Sequence, residues 1–72
     1  MICIISPSER IAINWANNQS LAHSEYFYGD EYSIRTHHNF HTIVIGMFPE
    51  ERLGWFEKIY HLAKVRGSIG NP

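Results

Sequence analysis

Two uninterrupted apolar runs stand out in the pattern of hydrophobic and polar positions. Segment 42–46 holds three apolar β-branched residues in a row, and segment 1–5 is a second short apolar run. A strand with one wet face alternates, whereas an unbroken apolar run of this length is typical of a strand covered on both faces. We therefore predict two buried strands, and we expect segment 42–48 and the helix after it to organise the domain.

An amphipathic helix follows each of these strands. Ser6 is placed to cap the first helix, with Pro7 in the first helical position and Glu9 closing a capping box. The second helix is predicted over residues 49–66, with acidic residues in its first turn and basic residues in its last. Its apolar face covers about half the circumference of the helix. Gly54, in the interior of this helix, indicates a close packing contact.

Between these two units, residues 26–28 form an aromatic, strand-like segment that ends at Gly29. In one interpretation, Asp30 caps a short helix over residues 31–36. The fold is then α/β, a minimal three-stranded parallel sheet in the order 2-1-3 with two main helices. In the other interpretation, the fold is α+β and residues 26–35 form a hairpin. The unbroken apolar strands favour the parallel sheet, and the hairpin stays open as the alternative.

Length and composition limit the range of functions. The chain has 72 residues, which predicts one compact domain over residues 1–67 and a frayed C-terminal tail over residues 68–72. Its net charge of −1 gives no general attraction to nucleic acid or to anionic membranes. Cys3 is the only cysteine, which excludes an internal disulfide and predicts a buried, inert thiol. The apolar start is short and lacks a basic leader, so we expect a cytoplasmic protein with no membrane partner.

Histidine is frequent, with five in the chain and three of them at positions 37, 38 and 41. In the parallel-sheet topology His41 and His23 precede strands, so several imidazoles could gather at that edge of the sheet. Neutral imidazole is a common zinc ligand, which makes His37 and His41 candidate metal ligands. The stretch also has the composition of a polar loop, and neither a cysteine partner nor an HExxH motif accompanies it.

The opposite edge of the sheet is where open parallel sheets bind ligands. It would be lined by Ser6, Ser8, Gly46, Met47 and Asp30. A glycine-rich phosphate loop is absent, and the predicted topology places both serines far from the histidines. We therefore expect no cofactor, and catalysis is the less favoured interpretation.

The aromatic residues exceed what two helices and three strands can cover. Tyrosine and tryptophan are enriched in interface hot spots, so the surplus indicates a protein-binding module or a homodimer. The predicted partner-binding residues are Tyr26, Tyr28, Tyr32, Trp55, His37 and His38. The alternative is a single-stranded nucleic-acid-binding protein in which the same rings form a stacking platform. A histidine-dependent metal-binding domain is a second alternative. With only six lysines and arginines, the nucleic-acid interpretation is less favoured.

The order of elements resembles that of small Rossmann-like α/β accessory proteins of bacteriophages and other mobile elements. The resemblance spans most of residues 1–67. It rests on the helix carrying Trp15, the aromatic strand 26–28, the strand 41–46 and the acid-started final helix. It implies a protein that binds a host protein and redirects or inhibits it, without shared catalytic residues. The chain departs from larger Rossmann domains because it lacks a glycine-rich turn.

Overall fold

The first strand lies inside the sheet, with a parallel neighbour on each side. The structure is a computed structural model that describes residues 1–69. Four parallel strands form the sheet in the order β2-β1-β3-β4. The elements in chain order are β1 (Ile2–Ile5), α1 (Glu9–Asn18), β2 (Tyr26–Tyr28), α2 (Glu31–Thr36), β3 (His41–Val44), α3 (Leu53–Arg66) and β4 (Ser68–Ile69). Short 3-10 turns at His23–Glu25 and Glu50–Arg52 precede β2 and α3.

The predicted α/β fold and the strand order 2-1-3 are confirmed. Cys3 of β1 is in register with Phe27 of β2 and with Thr42 of β3, and both pairings are parallel. The unbroken apolar runs are therefore strands of a sheet that has helices on both faces, as the pattern indicates.

The alternative hairpin over residues 26–35 is wrong, because residues 31–36 form helix α2. Asp30 favours the helix, since its Oδ1 accepts a hydrogen bond from the Ser33 amide at 2.7 Å. This side-chain cap satisfies one of the amides that a helix leaves without a partner at its start.

The most deeply buried strand is β1 and not β3. Residues 3–5 are fully buried, whereas Val44 at the end of β3 keeps 42% of its surface exposed. Strand β4 pairs with β3 only at His41 and Thr42. In the described part of the chain, the second half of β3 therefore has no strand on its outer side. The expectation that segment 42–48 organises the domain is corrected in favour of β1.

Side chains of β1 alternate between two hydrophobic layers, as the two-residue period of a strand requires. One layer packs against α2 and α3 and contains Cys3, Ile5, Phe27, Ile34, Phe40, Ile59 and Ala63. The other packs against α1 and contains Ile4, Ala12, Ala16 and Tyr26, with Ile43 and Ile45 against it. The helices thus cover both faces of β1 with apolar surface.

Helix α1 begins after Ser8, so the predicted cap at Ser6 is wrong. The Ser8 hydroxyl accepts a hydrogen bond from the Ile11 amide at 3.3 Å. Ser6 is buried, and its hydroxyl donates to the Ser8 carbonyl at 2.6 Å. Pro7 precedes the helix and lies against Gly46, where an added Cβ would approach its Cδ to 3.1 Å.

Helix α3 buries Ile59 and Ala63 almost completely. Other residues of its wide apolar face are only partly buried against the core; they are Trp55, Phe56, Tyr60 and Leu62. The close contact expected at Gly54 is not found, because a Cβ added there would have no atom within 4 Å. The predicted start near Pro49 is a 3-10 turn over Glu50–Arg52, which continues into the α-helix.

Polar contacts join α2 to α3 at both ends. Lys58 forms an ion pair with Glu31 at 3.2 Å, near the start of α2. At the other end, Arg66 donates from Nε to the Ile34 carbonyl at 3.1 Å and from Nη2 to the Arg35 carbonyl at 2.7 Å. The Arg66 bonds satisfy carbonyls that the end of a helix leaves without partners.

Strand β4 falls within the predicted C-terminal tail, residues 68–72. Ser68 and Ile69 pair with β3, and residues 70–72 lie outside the described part of the chain. The other elements all lie within residues 1–67.

None of the helices in residues 1–69 has the length and apolar content needed to cross a membrane.

Candidate functional site

Large apolar side chains are exposed at the carboxyl end of the sheet. After β3 the chain turns at Gly46, whose φ is +81°, and Met47 follows with 93% of its surface exposed. Leu53, in the first turn of α3, is 45% exposed, and Ile11, in the first turns of α1, is 38% exposed. Helices of a parallel α/β unit begin where the strands end, so all three belong to the same end of the molecule.

Trp55 forms the centre of a cluster with Tyr28 and Arg52, named here the edge cluster. The Arg52 guanidinium carbon lies 4.4 Å from the centre of the Trp55 ring. The Tyr28 ring stacks on Trp55 at 6.5 Å between centres and 21° between planes, and the Phe48 ring lies 6.2 Å from Trp55. A guanidinium over an indole is a favourable cation–π arrangement that fixes both side chains.

The Tyr28 hydroxyl is anchored to the same end of the sheet. It donates to the Ser6 carbonyl at 3.4 Å. Burial raises the pKa of Tyr28 above its ordinary value, and a hydrogen bond with Arg52 acts in the opposite direction. The phenol is therefore neutral at physiological pH and stays a hydrogen-bond donor.

Tryptophan, tyrosine and arginine are the residue types most enriched among interface hot spots. The edge cluster combines one of each, already stacked, at the same end of the molecule as the exposed side chain of Met47. A set of rings held in place before binding loses less side-chain entropy when a partner covers it. Chemically, this end of the molecule is suited to contact an apolar or aromatic surface.

The structure brings two of the predicted partner-binding residues together, Tyr28 and Trp55. Tyr26 is only 8% exposed and belongs to the core layer under α1. Tyr32 is 76% exposed on α2. Arg52 was not among the predicted residues, although its position three residues before Trp55 is a helical pairing that the sequence contains.

The three histidines at positions 37, 38 and 41 differ in burial: one packs against the core and two face solvent. The His37 ring stacks on Phe27 with 4.0 Å between centres and 8° between planes, and its Nδ1 lies 2.7 Å from the Ser33 carbonyl. His38 and His41 are exposed. Within residues 1–69, no three histidine, cysteine or acidic side chains are grouped as a metal ion would require. The predicted ligands His37 and His41 therefore gain no further partner there.

The aromatic strand offers less surface than a nucleic-acid platform needs. Tyr26 and Phe27 are buried in opposite core layers, at 8% and 9% exposure. Bases stack on exposed ring faces, so Tyr28 and Tyr32 are the rings of this region that remain accessible.

The crevice where open sheets bind nucleotides lies between the ends of β1 and β3. Pro7 packs on Gly46 between the ends of β1 and β3. The hydroxyls of Ser6 and Ser8 are engaged with the Ser8 carbonyl and the Ile11 amide, not with a histidine. The hydrogen bond to Ile11 also caps the start of α1, which weakens its attraction for an anion.

A cleft of about 330 Å³ runs along the outer edge of β2 and is named here the β2 cleft. Its lining residues are Glu9, Ile13, His23, Tyr26, Phe27, Tyr28, Asp30 and Ser33. The volume is at the lower end of the range for ligand pockets. Its existence was not predicted, because α1 and α2 frame it from segments far apart in the sequence.

Comparison of the chain with protein-family models, with curated proteins and with solved structures gave no match.

Proposed function

We propose that the chain is a small, non-catalytic protein-binding module that contacts its partner through the edge cluster and the exposed side chains Met47 and Leu53. The single observation that carries the proposal is the stacked arrangement of Arg52, Trp55 and Tyr28 at the end of the sheet where Met47 is 93% exposed. Apolar side chains exposed together are typical of interaction sites, whereas single ones are ordinary.

We further propose that the partner is a host protein that this chain inhibits or redirects. The support for this step is the resemblance to accessory proteins of bacteriophages and mobile elements. A nearly neutral charge agrees with an interface of apolar and aromatic contacts, because such contacts depend little on electrostatic attraction.

The test is affinity capture from bacterial cell extract with the immobilised protein. It compares a double variant with a control variant, and both replace exposed apolar side chains by serine. The double variant Met47→Ser, Leu53→Ser removes exposed apolar surface beside the edge cluster. Val65→Ser removes an exposed apolar side chain, 69% accessible, from the opposite end of α3. We expect the double variant to weaken capture of a specific protein about tenfold or more, and Val65→Ser to leave it unchanged. Circular dichroism of each variant confirms that the fold is kept.

Three results would contradict the proposal. Equal capture by both variants would remove this surface from the interaction. Capture that is lost at 0.5 M salt or after nuclease treatment would indicate nucleic acid, because phosphate contacts weaken steeply with salt. A dimer detected by light scattering and abolished by the double variant would assign the surface to a second copy of the chain.

A further inference from the structure

The β2 cleft has a charged end and an apolar middle. Glu9 lies in the first turn of α1, and Asp30 caps α2, so both carboxylates lie at the carboxyl end of β2. Ile13 and Phe27 line the cleft further along. His23, whose ring stacks on Tyr26 at 6.0 Å, is the one basic side chain in the lining.

The carboxylates of Glu9 and Asp30 both act on the Tyr28 hydroxyl. Tyr28 lines the cleft, and the charges of Asp30 and Glu9 add to the effect of burial in raising the pKa of its hydroxyl, whereas Arg52, which is not part of the lining, acts on that pKa in the opposite direction. Both negative charges are therefore near one aromatic ring. Neither carboxylate forms an ion pair with a lysine or arginine among residues 1–69.

An anionic occupant does not suit this end of the cleft. Helix starts attract anions through amides that lack partners. Here Asp30 accepts from the Ser33 amide and Ser8 accepts from the Ile11 amide, so both helix starts are already capped. Glu9 and Asp30 therefore give the lining of the cleft a net negative charge, and the Arg52 guanidinium lies outside the lining, over the Trp55 ring.

We propose that the β2 cleft binds an arginine side chain of the partner protein, with the guanidinium between Glu9 and Asp30 against the Tyr28 ring. A planar guanidinium pairs with carboxylates and also stacks on aromatic faces, which a compact ammonium does less well. The aliphatic stem of the arginine then lies along Ile13 and Phe27. The inference rests on the proposed function, because Tyr28 belongs to both the edge cluster and the cleft.

The probe is the blocked peptide acetyl-Gly-Arg-Gly-amide, which presents the side chain without terminal charges. Titration is followed by amide chemical shifts of the ¹⁵N-labelled protein. We expect saturable shifts confined to residues 26–30, Ser33 and the first turns of α1. The matched peptide with citrulline, which is neutral and similar in shape, is expected to give no saturable shifts. The lysine peptide is expected to bind more weakly than the arginine peptide.

Two variants remove charge from the cleft while keeping the fold. Glu9→Gln changes an exposed side chain, and Asp30→Asn keeps a residue type that caps helices well. Each is expected to raise the dissociation constant of the arginine peptide by about threefold or more. Glu57→Gln, on the exposed face of α3, makes the same change in net charge and is expected to have no effect.

Equal shifts with the citrulline peptide, shifts located away from the cleft, or unchanged affinity in both cleft variants would each overturn the proposal. Absence of saturable shifts with the arginine peptide would also overturn the proposal, and it would have no bearing on the capture experiment with Met47 and Leu53. Failure of that capture together with binding of the arginine peptide would instead contradict the proposed function and retain the cleft as a guanidinium site.

Discussion

Cys3 is held as a neutral thiol by its position in β1. The residue pairs with β2 on one side and β3 on the other, and its side chain is fully buried in the layer that packs against α2 and α3. Burial raises the pKa of the Cys3 thiol from 9.0 to about 12. The Asp30 carboxylate acts in the same direction and the Thr42 hydroxyl in the opposite one. Since the thiolate is the reactive form, the folded protein should resist alkylation at Cys3.

This pKa shift predicts a loss of stability at alkaline pH. The folded state holds the proton more tightly than the unfolded state, so the stabilisation is complete below pH 9 and is lost as the pH rises toward 12. The free energy of unfolding should fall by about 1.4 kcal/mol per pH unit within that window from Cys3 alone. Urea unfolding at a series of pH values between 8 and 11 measures the slope.

Cys3→Ala provides the control, because it retains Tyr28 and every other group that titrates in this range. The variant should be less stable than the wild type at pH 7, since it creates a small cavity. Its stability should then depend less steeply on pH above 9. Parallel pH profiles for the two proteins would show that Cys3 does not contribute the slope.

At the scale of elements, the two glycines of the α3 region have opposite roles. Gly54 lies in the first turns of α3, where an added Cβ has open space around it. Gly67 ends the helix, and a Cβ there would clash with Cε1 of the buried Phe40 ring. The helix therefore requires the smallest residue only at its carboxyl end.

The glycine pair predicts substitutions of opposite sign. Gly54→Ala should raise the free energy of unfolding by about 0.5–1 kcal/mol, because alanine has the higher helix propensity. Gly67→Ala should lower it by about 1–3 kcal/mol, because Phe40 must move within a packed core. Thermal and urea unfolding of both variants measure the difference. A stabilising Gly67→Ala would mean that Phe40 shifts without cost.

At the scale of the whole molecule, α2 is a short helix that depends on contacts with α3. It has six residues, well below the length at which an isolated helix is stable. Ile34 buries one side chain in the core, and Arg66 holds the last carbonyls of the helix. Because α2 also forms a wall of the β2 cleft, its stability affects the shape of that site.

Arg66→Met should destabilise α2 in particular. The variant keeps an aliphatic stem but removes the donors to the Ile34 and Arg35 carbonyls, which should cost about 1.5–3 kcal/mol. Hydrogen exchange should show faster opening of the amides of α2, with the amides of β1 changed only through global stability. Lys64→Met, an exposed charge in the same turn, is the control. Equal exchange in the two variants would contradict the role of Arg66.

Two ion pairs, Glu31–Lys58 and Glu31–Arg35, stabilise the start of α2. Side-chain hydrogen bonds from Lys58 and Arg35 lower the pKa of Glu31 below its ordinary value. Their stabilising effect is complete above pH 4.5 and is lost as the pH falls through the lowered value. All three side chains are well exposed, so water and salt screen the interaction.

Local sequence signals were sufficient to predict the two apolar strands and the helices after them, and they favoured the α/β fold over the hairpin alternative, but they did not predict strand β4. Apolar runs such as 3–5, the cap at Asp30 and the acid-to-basic order of α3 are local signals. Each one depends on a few neighbouring residues, and together they predict the parallel sheet in the order 2-1-3. The total number of aromatic residues exceeds what a small core can cover, so exposed rings were predicted. Tyr28 and Trp55 are two of the residues predicted to be in that surplus.

The burial of each aromatic ring, and the contacts between rings, depend on the tertiary structure. Tyr26 and Tyr28 are alike in sequence and lie on the same face of β2. Tyr26 is buried in the layer under α1, whereas Tyr28 is only partly buried against that layer and stacks on Trp55 at the end of the sheet. The β2 cleft likewise needs Glu9 and Asp30, which only the crossover of the chain brings together. Such contacts join distant segments, and their geometry depends on packing rather than on local sequence preference.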